Sequence, residues 1–216
     1  MVERRKISAA YRAFDGELKR LQRLDDLNQE RFYPGPGRPG PERLSASQMH
    51  MLTEAIFARA FSRYEEYIEQ VFLLYCQGRR TLSGKRVKSY IHPTSAKHAR
   101  LILKSGMNFL EWNSADKIIE RSKVYLEEDN PIYLAITSHQ ARLNRLRHVR
   151  NAIAHASEEA HSRFLRTVRD ELGVAPLRTP TVGEFLIMRD RAAAAPQYFL
   201  RSYLDVLAAV ALAAAG

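Results

Sequence analysis

The sequence has a single cysteine, Cys76, among 216 residues. One thiol excludes a disulfide framework and leaves too few sulfur ligands for a structural zinc site. Long apolar runs are also missing. The first fourteen residues, MVERRKISAAYRAF, contain no apolar core of signal-peptide length. The alanine-rich run 206–216 is too short to span a bilayer. No glycine-rich phosphate loop is present, so nucleoside triphosphate hydrolysis is not expected. Runs of alternating polarity and internal repeats of fixed period are absent too, which argues against a sheet or a solenoid. The expectation is a soluble, cytoplasmic protein with no membrane partner and no cofactor.

What is present is apolar bulk and positive charge. Hydrophobic residues make up 45% of the chain, enough for a proper core, so wholesale disorder is excluded. Lysine and arginine total 34 against 24 acidic residues, a formal net charge of +10. Most of the basic residues are arginine, whose planar fork grips phosphate oxygens two at a time. That balance suits a nucleic-acid partner. An arginine-rich proteome gives the same count without any such role.

Proline and glycine mark one boundary. Residues 33–41, Tyr-Pro-Gly-Pro-Gly-Arg-Pro-Gly-Pro, cannot form helix or central strand and read as a loop or semi-rigid linker. Outside it Leu, Ala, Arg and Glu dominate, and the fold class is all-α. The expected organisation is a charged N-terminal helix or arm over 1–32, the loop over 33–43, and a helical domain over 44–216.

Helix periodicity and capping residues subdivide the chain further. A first helix is expected over 3–28, with Leu18, Leu21, Leu24 and Leu27 on one seam. A second is expected over 45–77, opened by a Ser45/Gln48 capping box and carrying Phe57, Phe61, Tyr64, Ile68, Val71 and Tyr75 as a core stripe. The basic segment 78–92 reads as a loop. Short helices are expected over 94–105 and 114–126. A long helix should run from Asn130-Pro131 past Ile153, and another from Ser157 to Leu172 before Gly173. Thr181 and Glu184 form a second capping box, and Pro196 should open a final helix.

One segment carries chemistry. Arg142, Arg145 and His148 step along a helix with Arg147 beside them, a basic strip suited to RNA phosphates. Arg150-Asn151-Ala-Ile-Ala-His155 follows, where the amphipathic pattern ends. Asn151 and His155 lie one turn apart on the same face, while Arg150 is about 140° round from His155 but long enough to curl over the turn. The three can converge on one phosphate. An imidazole exchanges protons near neutrality, a guanidinium stabilises charge on non-bridging oxygens, and an amide orients either. RNA supplies its own nucleophile in the 2′-OH, so neither a metal nor a serine or cysteine nucleophile is required. An Arg-Asn pair with a histidine five residues after the arginine is expected by chance about 0.02 times in this composition.

The hexamer Arg150–His155 resembles the RNxxxH motif of the HEPN superfamily, all-α domains that often act as metal-independent endoribonucleases. The stretch 61–72, an acidic residue amid aromatics, is similar to that family's long early helix. Phe109-Leu-Glu-Trp112 and Phe164 resemble the RiboL-PSP branch. The likeness covers about 45–172. It implies catalytic roles for Arg150 and His155 with Asn151 positioning, and a lesser one for Glu65 on the early helix, where Glu66 is equally near. It implies a homodimer whose two motifs line one basic RNA cleft, and a toxin or phage-defence effector held by an antitoxin or regulatory protein. Members that have lost activity make a silent RNA-binding or protein-interaction module the alternative.

Other signals point to structure. His148, His155 and His161 do not share one helical face, which argues against a metal site. Cys76, beside Tyr75 at a helix end, is expected to be a buried, inert thiol. Trp112, Phe109 and Tyr125 fit core packing better than base stacking. The basic run 85–88 is as consistent with a solvated loop as with phosphate contact.

Overall fold

The computed structural model describes residues 6–33, 43–105, 110–193 and 195–216. Among them are nine helices and one two-residue antiparallel ribbon, so the all-α expectation holds. The expected helix start at Glu3, most of the Pro/Gly loop and Phe109 lie outside the described residues. The helices are α1 (Ile7–Phe32), α2 (Ala46–Cys76), α3 (Ala96–Lys104), α4 (Ala115–Tyr125), α5 (Pro131–Ser138), α6 (Gln140–Ala154), α7 (Glu158–Leu172), α8 (Val182–Ile187) and α9 (Phe199–Ala215); the strands are β1 (Arg189–Asp190) and β2 (Gln197–Tyr198).

Capping chemistry sets most boundaries. The Ser45 hydroxyl accepts from the Gln48 amide, and the Gln48 side chain accepts from the Ser45 amide at 2.8 Å. Gly78, with φ of 69°, follows α2, and Gly173, with φ of 70°, closes α7 in the left-handed conformation that favours glycine. Asn130, Ser157 and Thr181 cap α5, α7 and α8.

Three expectations are corrected. The leucine seam of α1 is not one face: Leu18 and Leu21 are buried, but Leu24 and Leu27 are exposed. Steps of three residues lose about 60° each, so Leu27 ends opposite Leu18. The buried stripe is instead Ile7, Ala10, Phe14, Leu18, Leu21, Asp25 and Asn28. The long helix from Pro131 is two helices. His139 Nδ1 donates to the Ala135 carbonyl at 2.9 Å, taking the acceptor its own amide would use in a continuous helix. That amide turns to Ile136 instead, and α6 restarts with the Leu143 amide bonded to the His139 carbonyl. Finally, Pro196 precedes a strand. The Asp190 carboxylate accepts from the Ala192 amide, Arg189 and Asp190 pair with Tyr198 and Gln197, and helix resumes at Phe199.

The chain folds into two compact units, with α1, α2, α6 and α9 each divided between them. One unit holds the described residues through Gly16, Ser62–Asn144 and Leu207–Gly216. Here Phe14 stacks on Tyr67 at 5.0 Å, and Trp112 packs against Phe72 at 5.2 Å with the Arg121 guanidinium over its indole. The Tyr75 hydroxyl donates to the Ala214 carbonyl at 2.8 Å, satisfying one of the acceptors left open at the end of α9. Cys76 is buried, which pushes its thiol up to about 12, beyond the range of a reactive thiolate.

The other unit, Glu17–Phe61 and Arg145–Val206, is built on an aromatic cluster. Phe185 stacks on Phe199 at 4.5 Å, meets Phe164 edge-on at 5.8 Å and lies 6.2 Å from Tyr203. These rings are fully buried, and each contributes roughly 1.5–3 kcal/mol by leaving water. The cluster fixes α7 and α8, the elements that flank the candidate site. No helix among the described residues is long and apolar enough to cross a membrane.

Candidate functional site

The Arg150–His155 segment lies in the second unit, at the C-terminal end of α6. Leu143, Leu146 and Val149 bury one face of this helix. Arg150 and Asn151 are half-buried on its last turns, and the Arg150 Nη1 donates to the Asn151 side-chain oxygen at 3.3 Å. The helix ends at Ala154, so His155 stands just past its last residue, exposed, its amide bonded to the Asn151 carbonyl at 2.9 Å. The hydrogen bond ties the guanidinium to the amide one turn ahead of the imidazole.

His155 borders a cavity of about 430 Å³. The low Ala152 and Ala156 surfaces open it, and Phe164 and the Pro180–Thr181–Val182 segment complete its wall together with the start of α7. Arg150 and Asn151 do not line it. Two devices hold the Thr181 edge in place. The Glu184 carboxylate accepts from both terminal nitrogens of Arg178, at 2.9 and 2.7 Å, and from the Thr181 amide at 2.8 Å. These bonds hold the Glu184 carboxyl down to about 2. One residue along, the Gly183 amide donates to Glu54 of α2 at 2.7 Å.

The basic residues before the motif divide by partner. Arg145 approaches the buried Glu171 carboxylate at 3.5 Å, and the Tyr203 hydroxyl donates to the same carboxylate at 3.2 Å. Arg147 is half-buried, with an Nε that has no hydrogen-bond partner among the described residues. His148 is half-buried and turned to α7, its Nδ1 3.1 Å from the Thr167 hydroxyl. It lines a second cavity, about 610 Å³, with Ser162, Arg163 and Arg166. Burial first, then Arg163, Arg147 and Arg166, press its imidazolium below the usual histidine range. Arg142 on α6 and Glu65 on α2, both half-buried, belong to the other unit.

Two contributors escaped sequence reasoning. His161, on the first turns of α7, lines the same cavity as His155. The Pro180–Val182 wall comes from a segment that carried only a capping signal. The signal for His161 was available in Ser157: a helix cap between the two histidines means that they sit on the adjoining ends of two helices, where a single helical wheel cannot relate them.

No family model matches the chain, and comparison with curated proteins and with solved structures returns no match.

Proposed function

We propose that the chain is a metal-independent endoribonuclease that cleaves RNA by attack of the 2′-OH on the adjacent phosphorus. The observation that carries the reading is the Arg150–Asn151 side-chain pair set one turn ahead of an exposed His155, which opens onto a cavity. In this reading His155 transfers a proton, Arg150 neutralises charge on the non-bridging oxygens, and Asn151 holds the guanidinium in orientation. Arg145, Arg147 and His148, in the same unit as the motif, would contribute to holding the strand. The RNxxxH likeness adds a homodimer and a toxin or defence role under the control of a partner protein.

The reaction leaves a 2′,3′-cyclic phosphate and a 5′-hydroxyl, and no water is consumed in that step. The test is purified protein on end-labelled single-stranded RNA with EDTA present. Cleavage with cyclic-phosphate ends, lost in His155→Ala, is the expected result. Cleavage by His155→Ala as fast as wild type overturns the assignment. Salt-sensitive binding without cleavage would identify a non-enzymatic RNA-binding module instead, with a log–log slope of about −0.7 per phosphate contact.

A further inference from the structure

Transesterification of RNA needs two proton transfers on opposite sides of phosphorus. One proton leaves the 2′-oxygen as it attacks, and another reaches the 5′-oxygen as its bond to phosphorus breaks. A lone imidazole serves only one side at a time. The cavity at the end of α6 is lined by two: His155, just past α6, and His161, on the opening turns of α7. Both residues are exposed. No hydrogen bond engages either ring among the described residues, so both pairs of ring nitrogens remain available to substrate. The His161 ring is braced against Phe164, at 6.5 Å between centroids, and Phe164 is locked in the aromatic cluster by Phe185.

The helix break makes this arrangement. Ser157 caps α7 by accepting from the Ala160 amide at 3.2 Å, so the chain changes helix between the two histidines and both can face the same space. The volume, about 430 Å³, falls in the range of small-ligand sites. Glu158 is a further ionisable side chain on the wall, with the Arg178–Glu184 pair behind Thr181.

Resting on the ribonuclease reading, we propose that His155 and His161 form the acid–base pair of the reaction, so that both proton transfers are completed within one chain. One neutral imidazole takes the 2′-OH proton while the new O2′–P bond forms. The other, as imidazolium, gives its proton to the departing 5′-oxygen as the P–O5′ bond breaks. The two rings exchange protonation states, and no net proton is consumed.

The test compares wild type, His155→Ala, His161→Ala and His161→Gln on single-stranded RNA in EDTA across pH. A second substrate is uridine 3′-(4-nitrophenyl phosphate), whose leaving group departs without protonation. On RNA, wild type should show a bell-shaped pH–rate profile. Each variant should fall by about a hundredfold or more and keep only one limb. On the nitrophenyl ester, the variant lacking the acid should return to within about tenfold of wild type, while the one lacking the base should not. Wild-type RNA cleavage that survives His161 substitution within about threefold overturns the pair and leaves the ribonuclease reading intact. Lowered activity with both limbs retained, or with no recovery of either alanine variant on the ester, also overturns the pair, since a structural role predicts both. Absence of any wild-type cleavage defeats the ribonuclease reading itself, and the pair with it.

Discussion

His148 of α6 is tied to Thr167 of α7 by a 3.1 Å contact between Nδ1 and the hydroxyl. The same hydroxyl donates to the Arg163 carbonyl at 3.2 Å, so its oxygen accepts and His148 Nδ1 carries the proton. Nε2 is then the basic nitrogen. Charging it is opposed first by burial and then by Arg163, Arg147 and Arg166. Because the folded protein resists a proton that the unfolded chain accepts near 6.5, His148 favours the fold above that pH. The contribution is lost as pH falls from 6.5 through the lower folded value. NMR titration of the His148 ring should give a midpoint below 6.5, and Arg166→Ala should raise it. An unchanged midpoint in that variant would show that the arginine does not act on the ring.

Arg150 offers its Nη1 to Asn151, a bond that contributes to setting the plane of the fork. If that plane matters to phosphate, Arg150→Lys keeps the charge and still loses function, because an ammonium is a point donor. The expected loss in kcat on RNA is about 10²-fold or more, in the range of a removed transition-state donor. Asn151→Ala, which keeps the guanidinium and removes only its bond to the amide oxygen, should cost less than Arg150→Lys. Equal activity of Arg150→Lys and wild type would restrict Arg150 to a structural role.

The chain's own signals reached the elements better than their relations. Caps at Ser45, Asn130, Ser157 and Thr181 are local chemistry, readable within four residues, and each opens a helix where its side chain implies. The stripe from Phe57 to Tyr75 follows one helical period and is buried throughout. The break at His139 was hidden because its cause is a ring nitrogen competing for a carbonyl, a choice no periodicity records. Likewise the motif positions Arg150, Asn151 and His155 were legible, while the wall from Pro180 to Val182 depends on where α8 meets its neighbours. His161 lies outside the motif, and only the turn between α6 and α7, closed by the Ser157 cap, brings it to the cavity that His155 borders.

Asp25 lies in the buried stripe of α1, where a simple amphipathic reading would place an apolar residue. Burial raises its carboxyl above the ordinary 3.8, against a lowering by the Gln29 amide bonded at 3.4 Å. The folded state therefore holds this proton more tightly than the unfolded chain. Stability from this site grows as pH falls through the folded value towards 3.8, and at neutral pH the buried carboxylate is a cost. Asp25→Asn keeps an oxygen for Gln29 and removes the charge. It should raise Tm at pH 7 by about 2–4 °C, the effect of roughly 1 kcal/mol in a chain of this size. The gain should shrink as the pH approaches 4, and a gain independent of pH would mean that the carboxylate is not its source.

Gly183 stands where α8 crosses α2 with no room for a side chain. A Cβ there would lie 2.4 Å from the His50 Cβ and 2.8 Å from the His50 carbonyl oxygen. Backbone on both sides must give way, and the 2.7 Å bond from the Gly183 amide to Glu54 goes with it. Gly183→Ala should therefore lower stability by about 1–3 kcal/mol in urea unfolding, as overpacking does. It should also shift Thr181 and Val182 at the cavity rim. Gly16 provides the contrast: it sits inside α1 with open space around the position of a Cβ. Gly16→Ala should stabilise by about 0.4–1 kcal/mol through the lost freedom of the unfolded chain. If the cavity is where RNA reacts, Gly183→Ala assayed well below its melting temperature should lose cleavage by more than its folded fraction accounts for. Gly16→Ala should leave the rate unchanged. Activity of Gly183→Ala that simply tracks the folded fraction would separate the α8 rim from the reaction.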